Sequence, residues 1–388
     1  MPRVAVVGAG MTEFGIHDVP LEELFAEAAF GALDDAGAEP ADVEALYFGN
    51  AMSGQAENAT HLGPKVAAHA GMAGIPVQRF EDACATSANA FKNAVAAVEA
   101  GVHDAVLVGG VERCTPETGR DTAAMTRVFA SASHRQYEQP AGLTFPGVFA
   151  LLTKRHMHEH GTTEEQLAHV AVKNHGNGAL NPRAHFGKEV TIEEVLDGPV
   201  VADPFRLMDC CPFSDGASAV VVVGDDVADS YDAPVDVTGV GHATDVVPIA
   251  DKKTPHVTQA ARDAAEEAYE QAGVSADDID FAEVHDCFTG AEVLASEALG
   301  LVADGEGGPA AAAGRTARDG DVPINPSGGL KAKGHPIGAT GTAQVVELTE
   351  QLRGEAGARQ LPDADRAVAH NLGGDAATTV VSVMEVRG

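Results

Sequence analysis

The stretch NPSGGLKAKGHPIGATG, Asn325–Gly341, decides how this chain of 388 residues is interpreted. Glycines flank the tetrapeptide Lys333-Gly334-His335-Pro336 on both sides. A residue before proline is disfavoured in a helix, and glycines permit close backbone approach and positive φ angles. A histidine held rigidly in such a loop suits a general base acting on a thiol. The alternative, a phosphate-binding loop, lacks the spacing of the known glycine-rich phosphate motifs.

A candidate thiol lies far upstream, in EDACATSANAF, Glu81–Phe91. Cys84 follows a predicted strand end and precedes a helix that we expect to begin near Thr86. A thiol at a helix N-terminus faces the positive end of the helix dipole, which favours the thiolate. The small neighbouring residues allow a substrate to approach and leave backbone N–H groups available to an oxyanion. The alternative is a buried structural cysteine, which is the usual fate of a free cysteine.

Two further polar stretches follow predicted strands, VHDCFT (Val284–Thr289) and AHNLGGD (Ala369–Asp375). His285 and Cys287 are two residues apart, so an extended backbone points both side chains the same way. An imidazole donor beside a thiol could supply an oxyanion contact and an acid/base group. The alternative for His285 is an ordinary strand-end histidine with satisfied hydrogen bonds.

A third histidine-rich stretch, HMHEH, offers metal-like spacing. It places His156, His158 and His160 on a helix that we predict to be solvated, without a nearby carboxylate or thiol. We therefore expect no metal site there.

Alternation of strands and helices predicts an α/β fold with a mostly parallel sheet. The chain also contains an internal sequence repeat. The stretch DDAGAEPADVEALYFGN (34–50) aligns with EQAGVSADDIDFAEVHD (270–286), and VAVVGAG near the start resembles VTGVGHA at 237–243. One α/β unit therefore occurs twice, over 1–234 and 235–388. The segment of about residues 114–212 lacks this alternation of strands and helices, which indicates a helical insertion that covers a binding site.

The charge balance excludes several classes of function. Lysine and arginine total 25 against 58 aspartate and glutamate residues, a net charge of −33 that is dispersed rather than gathered in a tail. We interpret this as the acidic surface of a folded protein from a salt-loving microbe. Nucleic-acid binding is disfavoured, because the sequence contains no stripe of basic residues. The five cysteines include no CxxC pair, which argues against a disulfide framework or a zinc site. The sequence shows no leader peptide and no long apolar run, which predicts a cytoplasmic protein without a membrane span.

DACATSANAF, SDGASAVVV, VHDCF, NPSGGLKAKGHPIGATG and HNLGG together resemble the thiolases, most closely their sterol-carrier-type and archaeal branch, and with the acidic surface they suggest a haloarchaeal member. The resemblance runs nearly end to end. It implies two βαβαβαββ halves in five layers, α-β-α-β-α, with a loop domain inserted in the first half. It also implies an acyltransferase that makes or cleaves acetoacetyl-CoA, or another 3-ketoacyl-CoA, by a ping-pong mechanism. Coenzyme A is then a substrate, and no cofactor is tightly bound.

The resemblance also assigns roles to residues. Cys84 would carry the acyl group, His335 would activate it, His285 would bind the thioester oxygen, and Cys287 would move the α-proton. In many thiolases that last role belongs to a cysteine near the C-terminus, where this chain has Asn371. The residues expected near the oxyanion contacts are His370, Asn371 and Gly374. The residues expected to bind CoA are Lys173, Arg183, Ser327 and Gly328.

Relatives of this type form homodimers or tetramers, and some work with a small zinc-bearing OB-fold protein or with a hydroxymethylglutaryl-CoA synthase. The same partners are therefore expected here. Two alternatives remain at this point. One is a related ketoacyl or hydroxymethylglutaryl-CoA synthase, although such enzymes rarely combine KGHPIGATG with VHDCF. The other is a non-catalytic acyl-CoA-binding, lipid-binding or scaffold subunit, which the intact Cys84, His285, Cys287 and His335 disfavour.

Overall fold

The computed structural model describes residues 4–115 and 122–388, so six residues of the expected insertion, 116–121, lie outside the description. The strands are β1 Val4–Met11, β2 Ala45–Gly49, β3 Val77–Phe80, β4 Ala105–Arg113, β5 Val200–Ala202, β6 Phe205–Arg206, β7 Asp215–Gly224, β8 Val235–Thr244, β9 Phe281–Val284, β10 Arg366–Gly373 and β11 Thr378–Val386. The helices are α1 Leu21–Ala36, α2 Ser53–Ala56, α3 Leu62–His69, α4 Thr86–Glu99, α5 Thr122–Phe129, α6 Phe145–His160, α7 Glu164–Gly178, α8 Ile192–Leu196, α9 Asp225–Ala228, α10 Gln259–Ala272, α11 Thr289–Ala298, α12 Gly307–Ala312, α13 Gly329–Ala332 and α14 Thr340–Leu352.

The central sheet has the strand order β3-β2-β4-β7-β1-β8-β11-β10-β9. Its two halves join where β1 pairs with β8 over a short register, Val4 opposite Val237. Parallel pairing is confined to β2 with β3 and β4, and to β9 with β10, while β7, β1, β8 and β11 pair antiparallel. The expectation of a mostly parallel sheet is therefore wrong. The sheet is mixed because β7 and β11, the last strands of the two halves, each run antiparallel to both of their neighbours.

The layers follow from where the apolar faces are buried. Helices α4 and α14 pack between the two halves of the sheet, in a core that includes Phe91 and Val346. Helices α1 and α3 cover the outer face of the first half, and α10 and α11 cover the outer face of the second half. This gives the α-β-α-β-α arrangement, because each half of the sheet is apolar on both faces and each face needs a helical cover.

The repeated unit is visible in how helices approach strands. A Cβ atom placed on Gly8 of β1 would lie 2.1 Å from the Ala32 carbonyl oxygen of α1. A Cβ atom on Gly241 of β8 would lie 1.9 Å from the Ala264 carbonyl oxygen of α10. Both strands therefore need glycine for the helix to reach the sheet. Helix α1 ends at Gly37, which has the left-handed backbone (φ 63°) expected of a C-terminal cap.

The segment between β4 and β7 is mainly helical, with α5 to α8 and the small hairpin of β5 and β6. Phe149 and Phe205 from this segment form a cluster with Phe288, which directly precedes α11. The insertion therefore packs over the carboxyl end of β9, where His285 and Cys287 lie. Among the described residues, no helix is both long and apolar enough to cross a membrane.

Candidate active site

Cys84 lies in a tight turn between β3 and α4. Ala83 adopts a left-handed backbone (φ 47°), and the Thr86 hydroxyl accepts a hydrogen bond from the Asp82 N–H at 2.8 Å and donates one to the Ala83 carbonyl at 2.5 Å. These bonds fix the turn so that Cys84 lies two residues before the first residue of the helix. The Cys84 sulfur and one ring nitrogen each of His285 and His335 lie within 4.8 Å of one another.

The thiol of Cys84 is not a ready-made thiolate. Burial raises its pKa to about 12, and the carboxylates of Glu112, Asp375 and Glu81 add to the rise, although a hydrogen bond from the Gly374 N–H opposes it. The helix N-terminus favours the thiolate, but this effect is the smaller one. Removal of the sulfur from water outweighs the helix dipole. Cys84 is a neutral thiol at rest and needs a base.

His335 has the tautomer that a base requires. Its Nδ1 lies 2.7 Å from the Thr340 Oγ1, and the Thr340 hydroxyl donates to the Pro336 carbonyl at 3.0 Å. The hydroxyl has only one hydrogen, so Nδ1–H donates to Oγ1 and Nε2 keeps its lone pair. Burial lowers the pKa of His335 to about 3, so the ring is neutral. Nε2 is thus free to accept the thiol proton.

His285 has the opposite tautomer. The Asn371 side-chain amide donates to its Nδ1 at 3.0 Å, so the hydrogen lies on Nε2. That Nε2 atom is buried without a hydrogen-bond partner. Burial lowers the pKa of His285 well below its usual value, and the neighbouring His335 and His370 lower it further. The His285 and His335 rings meet edge to face, with centroids 5.1 Å apart. The pair therefore offers one donor and one acceptor beside a single sulfur atom.

Cys287 lines the same cavity as Cys84, His285 and His335. The cavity has a volume of about 370 Å³ and is bounded mainly by apolar side chains of the inserted segment. Those that line it are Phe129, Phe145, Pro146, Phe149, Val201, Leu207, Pro212 and Phe213. Burial raises the pKa of the Cys287 thiol well above its usual value, and Cys211 and Cys84 add to the rise. Cys287 is therefore a neutral thiol that can donate a proton.

The other residues predicted at the oxyanion contacts, His370, Gly374 and Asn371, lie next to Cys84 or His285. His370 is buried within β10, three residues before the strand ends, and its Nδ1 accepts the His285 backbone N–H at 3.3 Å. Burial lowers the pKa of His370 to about 4. Gly374 lines the cavity and donates its N–H to Cys84. Asn371 does not take the place of a second thiol but orients the His285 ring.

The residues expected to bind CoA are not at the cavity. Ser327 donates its N–H and hydroxyl to the buried Glu283, and Lys173 forms a 2.9 Å ion pair with Glu292. Arg183 pairs with Glu350. A Cβ atom on Gly328 would lie 2.7 Å from the Gly178 Cα. The part of these four residues in CoA binding therefore stays a prediction. Glycine at 328 serves close packing, and the three polar side chains hold buried or half-buried carboxylates that are distant in sequence.

The histidine-rich stretch of α6 also differs from expectation. His156 is buried rather than solvated, and its Nε2 lies 3.0 Å from a carboxylate oxygen of Glu297. Its Nδ1 lies 2.9 Å from the Thr162 hydroxyl. The carboxylate partner was missed because it lies 141 residues away in sequence. Both ring nitrogens of His156 have hydrogen-bond partners, so this histidine has a structural role.

Two contributors to the site were not identified from the sequence. Thr340 sets the tautomer of His335, and its position five residues after that histidine, in the first turn of α14, is the only local sign of the contact. The buried Asp286 carboxylate accepts the Leu330 N–H at 2.6 Å and thereby links the loop after β9 to α13. Its place between His285 and Cys287 was visible, but its partner was not.

Comparison with known proteins agrees with this geometry. Residues 4–226 match the family model described as "Thiolase, N-terminal domain", and residues 241–386 match "Thiolase C-terminal domain-like". The chain belongs to the thiolase family. It is therefore an acyltransferase of the thiolase type, and its fold agrees with the one that the resemblance implied.

The individual relatives are similar over nearly the whole of this chain. The chain is 45% identical to an acetyl-CoA acetyltransferase of Methanothermobacter thermautotrophicus, over 99% of both chains. It is 35% identical to the Homo sapiens sterol carrier protein 2, over 96% of this chain and 70% of that protein. A solved structure titled Ltp2-ChsH2(DUF35) aldolase superposes with a TM-score of 0.84 at 25% identity, covering 99% of this chain and 98% of that chain. Human mitochondrial 3-ketoacyl-CoA thiolase in complex with CoA shares the fold, with a TM-score of 0.77 at 19% identity over 100% and 98% of the two chains.

Proposed function

We propose that this thiolase condenses two acetyl-CoA molecules to acetoacetyl-CoA and CoA, and catalyses the reverse cleavage. The observation that carries the proposal is the cluster of Cys84, His335 and His285. It brings a neutral thiol, a bare imidazole nitrogen and an unpartnered imidazole N–H together in one apolar cavity. The 45% identical acetyl-CoA acetyltransferase supports the choice of substrate.

The first half-reaction loads the enzyme. The Cys84 sulfur attacks the acetyl carbonyl carbon as its proton passes to Nε2 of His335. The Gly374 N–H points at this sulfur, so it lies close to the oxygen that becomes negative. The carbon–sulfur bond to CoA then breaks, and the His335 proton goes to the departing CoA thiolate. Each N–H aimed at a developing oxyanion is worth roughly 3 kcal/mol of barrier.

The second half-reaction forms the carbon–carbon bond. A second acetyl-CoA places its thioester oxygen at the Nε2–H of His285, which lowers the energy of the enolate formed there. Nε2 of His335, free again once its proton has left with CoA, takes the thiol proton of Cys287. The Cys287 thiolate then takes the α-proton, and the resulting carbanion attacks the acetyl carbonyl on Cys84. The tetrahedral intermediate collapses, the bond to the Cys84 sulfur breaks, and acetoacetyl-CoA leaves. The departing Cys84 thiolate takes back the proton held by His335, so both thiols are neutral again at the end of the cycle.

The deciding experiment separates the two half-reactions. We expect Cys84→Ala to abolish both acetylation by labelled acetyl-CoA and acetoacetyl-CoA cleavage. We expect Cys287→Ala to keep acetylation of Cys84 but to lose at least about 100-fold in condensation, since general acid–base groups contribute 10²–10⁴-fold. Cys114→Ala is the matched control, because Cys114 is buried in the same apolar cluster as Cys84 but does not line the cavity. Full condensation activity in Cys287→Ala would overturn the role of that thiol.

We also propose that the division of the chain lies at 234/235, that residues of about 114–212 form an inserted loop domain, and that the enzyme is cytoplasmic and haloarchaeal. The net charge of −33 supports a salt-loving source. Activity and melting temperature measured in increasing KCl test this. A rise toward molar salt is expected, and an optimum at low salt would contradict it.

We further propose that the chain forms a homodimer or tetramer and works with a co-encoded zinc-bearing OB-fold protein and a hydroxymethylglutaryl-CoA synthase. The relative titled with a DUF35 component supports a protein partner in general. Light scattering of the purified chain tests its oligomeric state, and co-purification with each co-encoded protein tests the assembly. A monomer that remains alone would contradict the proposal.

A further inference from the structure

The catalytic cluster has the composition of a metal site, which the sequence did not indicate because its three members lie up to 251 positions apart. One sulfur and two imidazole nitrogens lie within 4.8 Å of one another. In a tetrahedral zinc site, with Zn–S of about 2.3 Å and Zn–N of about 2.0 Å, ligand atoms are roughly 3.5 Å apart. The cluster therefore needs to contract by at most about 1.3 Å, which side-chain rotation can supply.

The free atoms of the cluster are the ones that a metal would use. The Nδ1 atoms of both histidines are engaged, by Thr340 for His335 and by Asn371 for His285. Nε2 of His285 is fully buried and has no partner. Outer partners that fix ring orientation in this way are a regular feature of metal-binding histidines. We propose that Cys84, His285 and His335 form an inhibitory site for Zn²⁺, with a water molecule as the fourth ligand.

The chemical balance of binding is simple. Cys84 releases its proton to solvent and binds Zn²⁺ as a thiolate, and His335 binds through the lone pair already present on Nε2. His285 must move its hydrogen from Nε2 to Nδ1. Asn371 can follow this change by turning its amide, because its Oδ1 is buried without a partner and would then accept the new Nδ1–H. No oxidant or further reactant is needed.

The ligand set also selects the kind of cation. A thiolate with two imidazoles favours zinc and similar transition metals over Mg²⁺ or Ca²⁺, which prefer oxygen ligands. The metal would compete with acylation, since an acetyl group on Cys84 removes the sulfur ligand. Zinc can therefore bind only while the Cys84 thiol is not acylated. Bound zinc would protect that thiol and block turnover.

The experiment uses untagged, chelator-treated full-length protein titrated with Co²⁺, whose absorption reveals tetrahedral sulfur and nitrogen ligation. We expect one Co²⁺ per chain, with ligand-field bands and a sulfur-to-cobalt charge-transfer band. Displacement by Zn²⁺ gives the zinc affinity. The bands should vanish in Cys84→Ser and in wild type acetylated beforehand with acetyl-CoA. Cys210→Ala is the matched control, because this thiol lines the cavity outside the cluster and its loss should leave the bands unchanged.

A second variant tests the coupling to Asn371. A carboxylate at this position accepts the Nδ1–H of His285, so Asn371→Asp should tighten Zn²⁺ binding by about 10-fold or more. Circular dichroism checks that each variant is folded. The proposal is overturned if wild type shows no tetrahedral Co²⁺ bands, if Cys84→Ser or the acetylated enzyme shows them undiminished, or if Asn371→Asp binds Zn²⁺ no more tightly than wild type.

Discussion

Replacing Thr340 by valine should remove the base from this active site without touching the nucleophile. Valine has nearly the same shape as threonine but cannot accept a hydrogen bond. In the wild type, the Thr340 oxygen accepts the His335 Nδ1–H at 2.7 Å and thereby keeps Nε2 unprotonated. His335 is only 6% exposed, so little solvent is available to replace that acceptor. The proton should therefore move to Nε2, where it faces the thiol and prevents its deprotonation.

The size of the effect follows from the hydrogen bond that is lost. A buried N–H without an acceptor costs about 1–3 kcal/mol. This cost falls only on the tautomer that acts as a base, so its population should decrease by the same free energy. Because about 1.4 kcal/mol corresponds to a factor of ten, we expect kcat to fall about 5- to 150-fold, with little change in KM.

The assay is acetoacetyl-CoA cleavage, together with single-turnover acetylation of Cys84. Thr340→Ser should restore most of the activity, since it returns the hydroxyl. Thr342→Val is the matched control. It makes the same chemical change two residues further along α14, at a buried hydroxyl bonded to the Ala339 carbonyl at 3.2 Å and to Ser218 at 2.5 Å. If Thr340→Val and Thr342→Val reduce kcat equally, the hydroxyl at 340 only stabilises the helix and the reasoning on the tautomer is refuted.

Three further outcomes follow from buried ionisable groups. The Cys84 thiol has a pKa raised to about 12, chiefly by burial, so its alkylation by iodoacetamide should keep accelerating from about pH 7 to pH 10; a plateau below pH 8 would reveal a thiolate–imidazolium pair instead. Burial and a neighbouring carboxyl group raise the pKa of Asp375 to about 8, so its contribution to stability is complete below about pH 4 and is lost as the pH rises through about 8. Asp375→Asn should therefore flatten the fall in melting temperature between about pH 4 and pH 8, and an unchanged slope would contradict this assignment. Lys333→Met leaves Glu283 buried without its 3.3 Å partner and should cost about 3–5 kcal/mol in urea unfolding, whereas Lys154→Met, at an exposed ion pair, should cost at most about 1 kcal/mol; equal losses would contradict the burial argument.

The parts of the fold that the sequence predicted are those with local causes. Helix α1 and its end at Gly37 follow from apolar spacing and one glycine, and strand β8 follows from its sequence similarity to the first strand. The mixed sheet was not predictable in the same way. Strand β1 pairs with β7, which lies about 200 residues later, and the alternation of strands and helices says nothing about the direction of such returning strands. Non-local pairing is decided by packing rather than by local pattern.

The site divides along the same line. Glycine-flanked loops and strand ends identified Cys84, His285, Cys287 and His335, because their unusual local sequences follow directly from their positions. Their protonation states could not be predicted, since these depend on burial by aromatic side chains of the inserted segment. The carboxylate partners of the residues expected to bind CoA were missed for a related reason. A lysine such as Lys173 looks available in a sequence until its distant carboxylate partner is found.

The duplication explains why a nucleophile and a base meet at all. In the first unit β3 leads into α4, and Cys84 lies just before that helix; in the second unit His335 lies just before α14. The two central helices begin side by side. A Cβ atom on Gly341 would lie 2.3 Å from the Ala88 nitrogen, and the Thr342 N–H donates to the Ser87 hydroxyl at 3.1 Å. Equivalent positions of one repeated unit thus carry different chemistry. The close packing of the two helix starts, which requires glycine, is what brings thiol and imidazole into contact. A larger residue at 341 should therefore separate the pair and reduce acylation even though every catalytic side chain remains.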